Sequence, residues 1–90
     1  MDTHLPAEPF ASDVRAIVAK GGTRLDDLAV SIGVHPQWLR KIMRGEITEL
    51  PLLTVAVICR RLRLMPEDIW EPGLVARAFR DFPPSAFDPD

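Results

Sequence analysis

An all-α fold is predicted for this chain, and two observations predict it. Apolar residues recur at intervals of three and four, as in Leu25, Leu28, Ala29 and Ile32, which is the stripe that an amphipathic helix buries. Glycines and prolines punctuate the chain between such segments, and strand-like alternation is missing. Ninety residues suffice for one domain with a modest core. The composition, 47% apolar and 27% charged, is that of an ordinary globular chain and argues against disorder throughout.

The elements follow in order. Residues 1–11 hold Pro6 and Pro9 with little periodicity and read as an extended N-terminal arm. Ser12 is placed to cap a first helix starting at Asp13, with Val14, Ile17 and Val18 on one face and Gly21-Gly22 as its stop. A second helix is predicted over 24–32. Asp26 and Asp27 sit in its first turn, Thr23 and Asp26 have a capping-box spacing, and Gly33 breaks it. A third begins near Pro36, carries Leu39, Ile42 and Met43, and stops at Gly45. A loop over 46–50 leads through Pro51 into a fourth helix ending near Leu62. Pro66 starts a short fifth helix, and Pro72-Gly73 interrupts. A last helix carries Leu74, Val75, Ala78, Phe79 and Phe82, up to Pro83-Pro84. The expected organisation is an arm (1–11), a helical domain (12–71), and a C-terminal helix with a Pro/Phe-rich tail (72–90).

Several function classes are disfavoured. The longest apolar run, Val55 to Cys59, is too short to span a bilayer, and the N-terminus lacks a secretory pattern. The single cysteine, Cys59, allows no internal disulfide, so a cytoplasmic location is expected, with Cys59 a small core residue. His4, His35 and Cys59 lack metal-ligand spacing, and no nucleophilic triad or phosphate loop is present. Asp26 and Asp27 are adjacent and point to different helix faces. No enzyme, metal or cofactor is therefore expected.

The net charge is −2, yet between His35 and Arg63 six cations face only Glu46 and Glu49, a local charge of about +4. A local field steers a polyanion better than a total does. The plain alternative is a set of solvated helix faces.

The most informative segment is 25–42. Two helices joined by a three-residue turn must cross steeply with their backbones close. Ala29 is the small residue that such a crossing needs, and Gly33 supplies positive φ at the turn. Leu28, Ile32, Val34, Leu39 and Ile42 supply the facing apolar sides, so a helix-turn-helix is predicted.

Leu28-Ala29, Ile32-Gly33-Val34, Leu39, Ile42 and Arg44-Gly45 begin a longer pattern. Val55, Ile58, Cys59, Leu62, Leu64, Pro66 and Ile69-Trp70 continue it. Together they resemble the lambda-repressor-like (Cro/cI, XRE) family over about residues 13–70. The resemblance implies a five-helix DNA-binding domain whose third helix enters the major groove, here with an additional C-terminal helix and tail. Three features depart from the family pattern. Val18 and Met43 stand where an arginine–acid pair is common, an exchange that can be neutral or stabilising. The loop after the third helix is about two residues longer, which puts its phosphate contacts in doubt. Arg24 replaces a small polar cap.

Matching positions place His35, Pro36, Gln37, Trp38, Lys41 and Arg44 on the exposed side of the third helix. Gln37 suits an adenine edge and Lys41 guanine O6 or N7, making them the candidate base readers. His35 either meets a phosphate or base edge or is a surface cap. Trp38 either touches the sugar-phosphate backbone or a thymine methyl, or packs on helix two. Arg24, Arg40, Arg44 and Thr48 are candidate phosphate contacts. Arg60, Arg61 and Arg63 suit the helix-four dipole and read as structural.

Helix four has an apolar surplus, Leu53 and Val57, on a face the family core does not use. The C-terminal segment (Leu74, Val75, Phe79, Phe82, Phe87) is expected to cover it and to lend area to a homodimer. The implied partner is double-stranded DNA. The rival reading is a protein-interaction module, or an antitoxin-type regulator whose tail over 82–89 binds a second protein.

Overall fold

Five short helices turn their apolar faces onto one core, and a two-stranded ribbon ties the start of the chain to its middle. The computed structural model describes residues 4–82. In chain order the elements are β1 (His4–Pro6), α1 (Glu8–Ala19), α2 (Leu25–Ser31), α3 (Pro36–Met43), β2 (Glu49–Pro51), α4 (Leu52–Leu62), a 3-10 helix (Pro66–Asp68) and α5 (Pro72–Ala78). The predicted helical character holds, with a small antiparallel sheet added. No helix among the described residues is long and apolar enough to cross a membrane.

Residues 4–11 are not the free arm predicted for 1–11. β1 pairs with β2 in the register Leu5 opposite Leu50, and both side chains are fully buried. The Ala7 N–H extends the pairing onto the Thr48 carbonyl at 2.9 Å. α1 then begins at Glu8, so Ser12 lies inside the helix instead of capping it. Pro9 stands in the first turn, where its missing N–H costs nothing. Phe10, Ala11 and Val14 are buried beneath α1, so the expected boundary between 11 and 12 falls within a core element. The end of the loop predicted over 46–50 is taken up by β2. The indole N–H of buried Trp70 donates to the Pro6 carbonyl at 2.8 Å and fastens this ribbon from the far end of the chain.

Proline decides the C-terminal elements as well. The predicted fifth helix is a single 3-10 turn, closed where the Asp68 carboxylate accepts the Met65 N–H at 2.8 Å. It cannot run on, because the residue before a proline is driven to extended backbone, and Glu71 before Pro72 has ψ 133°. Pro72 itself starts α5 rather than interrupting one. The Glu71 carboxylate caps that helix by accepting from the Gly73 and Leu74 N–H groups, which hold its pKa below the usual value. α5 ends at Ala78, with Val75, Ala78 and Phe79 in the core. Phe79 and Phe82 meet edge to face with centroids 5.0 Å apart.

α2 starts one residue later than predicted, with Arg24 as N-cap, no side-chain cap bond, and hence no Thr23–Asp26 capping box. No polar or charged side chain is buried among the described residues. Val18 and Met43 both pack half-buried against the core.

Three helices end in the same way. After α2 the Gly33 N–H reaches the Val30 carbonyl and the Val34 N–H the Ala29 carbonyl, the paired bonds of a Schellman cap. Gly45 and Glu46 repeat this after α3, and Arg63 and Leu64 after α4. The third cap has no glycine: Arg63 takes φ 57°, the one positive φ at a non-glycine residue among those described.

Two stability predictions follow from this packing. Leu5→Ala lowers unfolding free energy by about 3 kcal/mol, read as a shift in urea midpoint at constant m. A change under about 0.5 kcal/mol would show that Leu5 adds nothing to the core. Arg63→Gly raises stability by about 0.5–1 kcal/mol, the relief of left-handed strain exceeding the added unfolded-chain entropy. A neutral or lower midpoint would show that Arg63 bears no such strain.

Candidate nucleic-acid interface

The turn before α3 fixes where that helix points. Ala29 is fully buried, Gly33 has φ 79°, and Leu28, Ile32, Leu39 and Ile42 close the angle between α2 and α3 from inside. Val34 is half-buried against the same core. A Cβ at Gly33 would meet only the Arg61 guanidinium, at 3.5 Å. Glycine is thus needed there for its backbone conformation more than for space. The same contact gives Arg61 a place against the turn, beyond the helix-end role read from the sequence.

His35 caps α3: its Nδ1 accepts the Gln37 N–H at 3.1 Å, and Pro36 occupies the first turn. With Nδ1 as acceptor, Nε2–H is the donor left on the ring. His35 thus acts as a cap, and the cap leaves one donor on the ring of an exposed residue.

Successive helical residues are rotated by about 100°, so Gln37, Lys41 and Arg44 share one side of α3 and its C-cap. All three are exposed, opposite the buried Leu39 and Ile42. Lys41 has no ion-pair partner among the described residues. Arg40 and Arg44 are engaged. Arg40 Nη2 lies 2.8 Å from the Asp26 carboxylate, tying α3 to the first turn of α2, and Arg44 Nε lies 2.6 Å from Glu46. The sequence reading places Asp26 at a helix start and Glu46 in a charge count, and it pairs neither with an arginine. Exposed pairs of this kind are worth about 0.2–1 kcal/mol, so neither holds its arginine strongly. Arg24 is exposed at the start of α2. Thr48 is exposed too, its carbonyl taken by the Ala7 N–H.

Trp38 packs inward in part, against a core that includes Leu28 and Ala29 of α2 and its C-cap Ile32. It is half-buried on the core, and it borders α4 in an open apolar depression of about 440 Å³ shared with Val34, His35, Leu53, Thr54 and Val57. Leu53 remains 72% exposed, so α5 does not cover the helix-four surplus as expected. Val75 and Phe79 are buried in their own chain, and Leu74 and Phe82 pack half-buried on the same core. Phe87 and the tail beyond Phe82 lie outside the described residues.

No family model, curated protein or solved structure matches this chain. Two further features bear on its chemistry. Cys59 is fully buried, and burial, then the charges of Asp68 and Glu67, push its thiol up to about 12, so it is protonated at neutral pH. Among the described residues no three His, Cys, Asp or Glu side chains group as a metal site.

The cap predicts a separation of roles. His35→Ala lowers stability by about 1 kcal/mol, whereas His35→Asn, which also caps, leaves it nearly unchanged. Thermal unfolding of the two variants checks this, and equal losses would remove the cap from the account.

Proposed function

We propose that the chain is a cytoplasmic, sequence-specific DNA-binding transcriptional regulator of the lambda-repressor-like class that inserts α3 into the major groove. The observation carrying this reading is the pairing of a glycine-terminated α2 with a short α3 that packs on it and whose outward side is Gln37, Lys41 and Arg44. Support also comes from the family-like residues between Leu28 and Trp70, and from the cation excess between His35 and Arg63 despite a net charge of −2. Gln37 and Lys41 read base edges. Arg24, Arg40, Arg44 and Thr48 hold phosphates, and the His35 Nε2–H is a further donor at the start of the helix.

A second reading, a protein-interaction module, is favoured by the exposed Leu53 beside half-buried Trp38 and Val57. That face is apolar where a DNA face is charged, so the two readings respond differently to salt.

Selection of bound duplexes from a random pool tests the proposal. A consensus sequence is expected, with binding at about 50 mM salt that falls steeply by about 200 mM. Lys41→Ala weakens preference at one base pair by about 1–3 kcal/mol, while Arg44→Ala weakens all sequences alike. Absence of any enriched sequence at low salt overturns the DNA reading. Equal losses on cognate and scrambled DNA for Lys41→Ala remove its role as a reader.

A further inference from the structure

α1 carries a second stripe beside its core face. Asp13, Ala16, Ile17 and Lys20 fall at i, i+3, i+4 and i+7, and all four line an apolar groove of about 240 Å³. Leu62 and Leu64, at the end of α4, line it too. Five large apolar side chains are exposed among the described residues, and two of them, Ile17 and Leu64, line this groove. Ile17 and Leu64 are each 37% exposed, and Met65, next along the chain, is 46% exposed. Asp13 and Lys20 are exposed, and neither side chain has an ion-pair or hydrogen-bond partner among the described residues.

We infer that a second copy of this chain docks on this stripe, its α1 antiparallel to the first. A two-fold axis requires a surface that complements itself, with each contact made twice. An axis passing between Ala16 and Ile17 satisfies this. Asp13 and Lys20 lie equally far to either side, so Asp13 of each copy meets Lys20 of the other. The centre holds Ile17 and the small Ala16, which lets two helices approach to about 8–10 Å. A parallel arrangement would set Asp13 on Asp13 and Lys20 on Lys20, so the charges select the antiparallel one. A foreign partner needs no such internal mirror. No residue of α3 lines the groove, so docking here does not depend on DNA binding and its test stands apart from that proposal.

Sedimentation of the full chain from micromolar to millimolar concentration is the test. The wild type shows a concentration-dependent dimer. Asp13→Lys and Lys20→Asp, each turning both symmetric pairs into like charges, weaken association about tenfold or more. The double variant Asp13→Lys/Lys20→Asp restores it, and Ile17→Asp blocks the centre independently. Circular dichroism checks that each variant keeps its helices, as expected for exposed positions. A monomer at every concentration overturns the inference, as does a dimer indifferent to the single swaps or not recovered by the double one. A monomer that binds an anilinonaphthalene sulfonate dye in an Ile17-dependent way assigns the groove to an apolar small ligand instead.

Discussion

The left-handed backbone at Gly33 is the constraint on which the rest depends. It ends α2, hands its last carbonyls to the Gly33 and Val34 N–H groups, and turns the chain so that Pro36 starts α3 three residues later. A β-carbon there would cost about 1–2 kcal/mol in backbone strain alone, although the space beside it is bounded only by the Arg61 side chain. Fully buried Ala29 fixes the approach from the α2 side. Once that angle is set, the placement of Leu39 and Ile42 in the core and of Gln37 and Lys41 outside follows from helical phase.

The second constraint acts from a distance. Strands of three residues with one buried side chain each could not hold together alone. They persist because Leu5 and Leu50 fill the core beside α4, and because Trp70 donates to Pro6 across 64 residues of chain. The segment leaving α3 is thereby held, since the Thr48 carbonyl is bonded to Ala7 at the ribbon's edge. The phosphate-side loop of the candidate interface thus rests on the first residues of the chain.

This explains what the sequence made legible. The stripe Leu25, Leu28, Ala29, Ile32 spans two turns, enough for its period to stand out, and the turn residues after it have distinctive chemistry. Leu5 and Leu50 are single apolar residues in strands too short to alternate. Proline carries a local signal at all three helix starts. The first-turn preference that places Pro36 at the start of α3 applies equally to Pro9 and Pro72, and Phe10, Val14 and Val18 continue from Pro9 at helical spacing. The exposure of Gln37, Lys41 and Arg44 was readable from phase. The Arg40–Asp26 pair joins side chains 14 positions apart, and the seating of Trp38 beside α4 depends on how two helices pack, so neither is visible in a local pattern.

The fold gives the two proposed surfaces a fixed relation. α1 packs on α3 directly, with Phe10 and Val14 beneath one helix and Leu39 and Ile42 beneath the other in a single cluster. Interiors packed at crystal-like density transmit displacement instead of absorbing it. Two copies joined along α1 would therefore hold their α3 helices at one separation and angle, set by the core and not by any flexible link. A dimer of that kind reads half-sites at a single spacing. In such a protein the core residues between α1 and α3 act on DNA selectivity without touching DNA. A change in volume at Phe10 or Leu39 would alter which spacing is bound before it altered which bases are read.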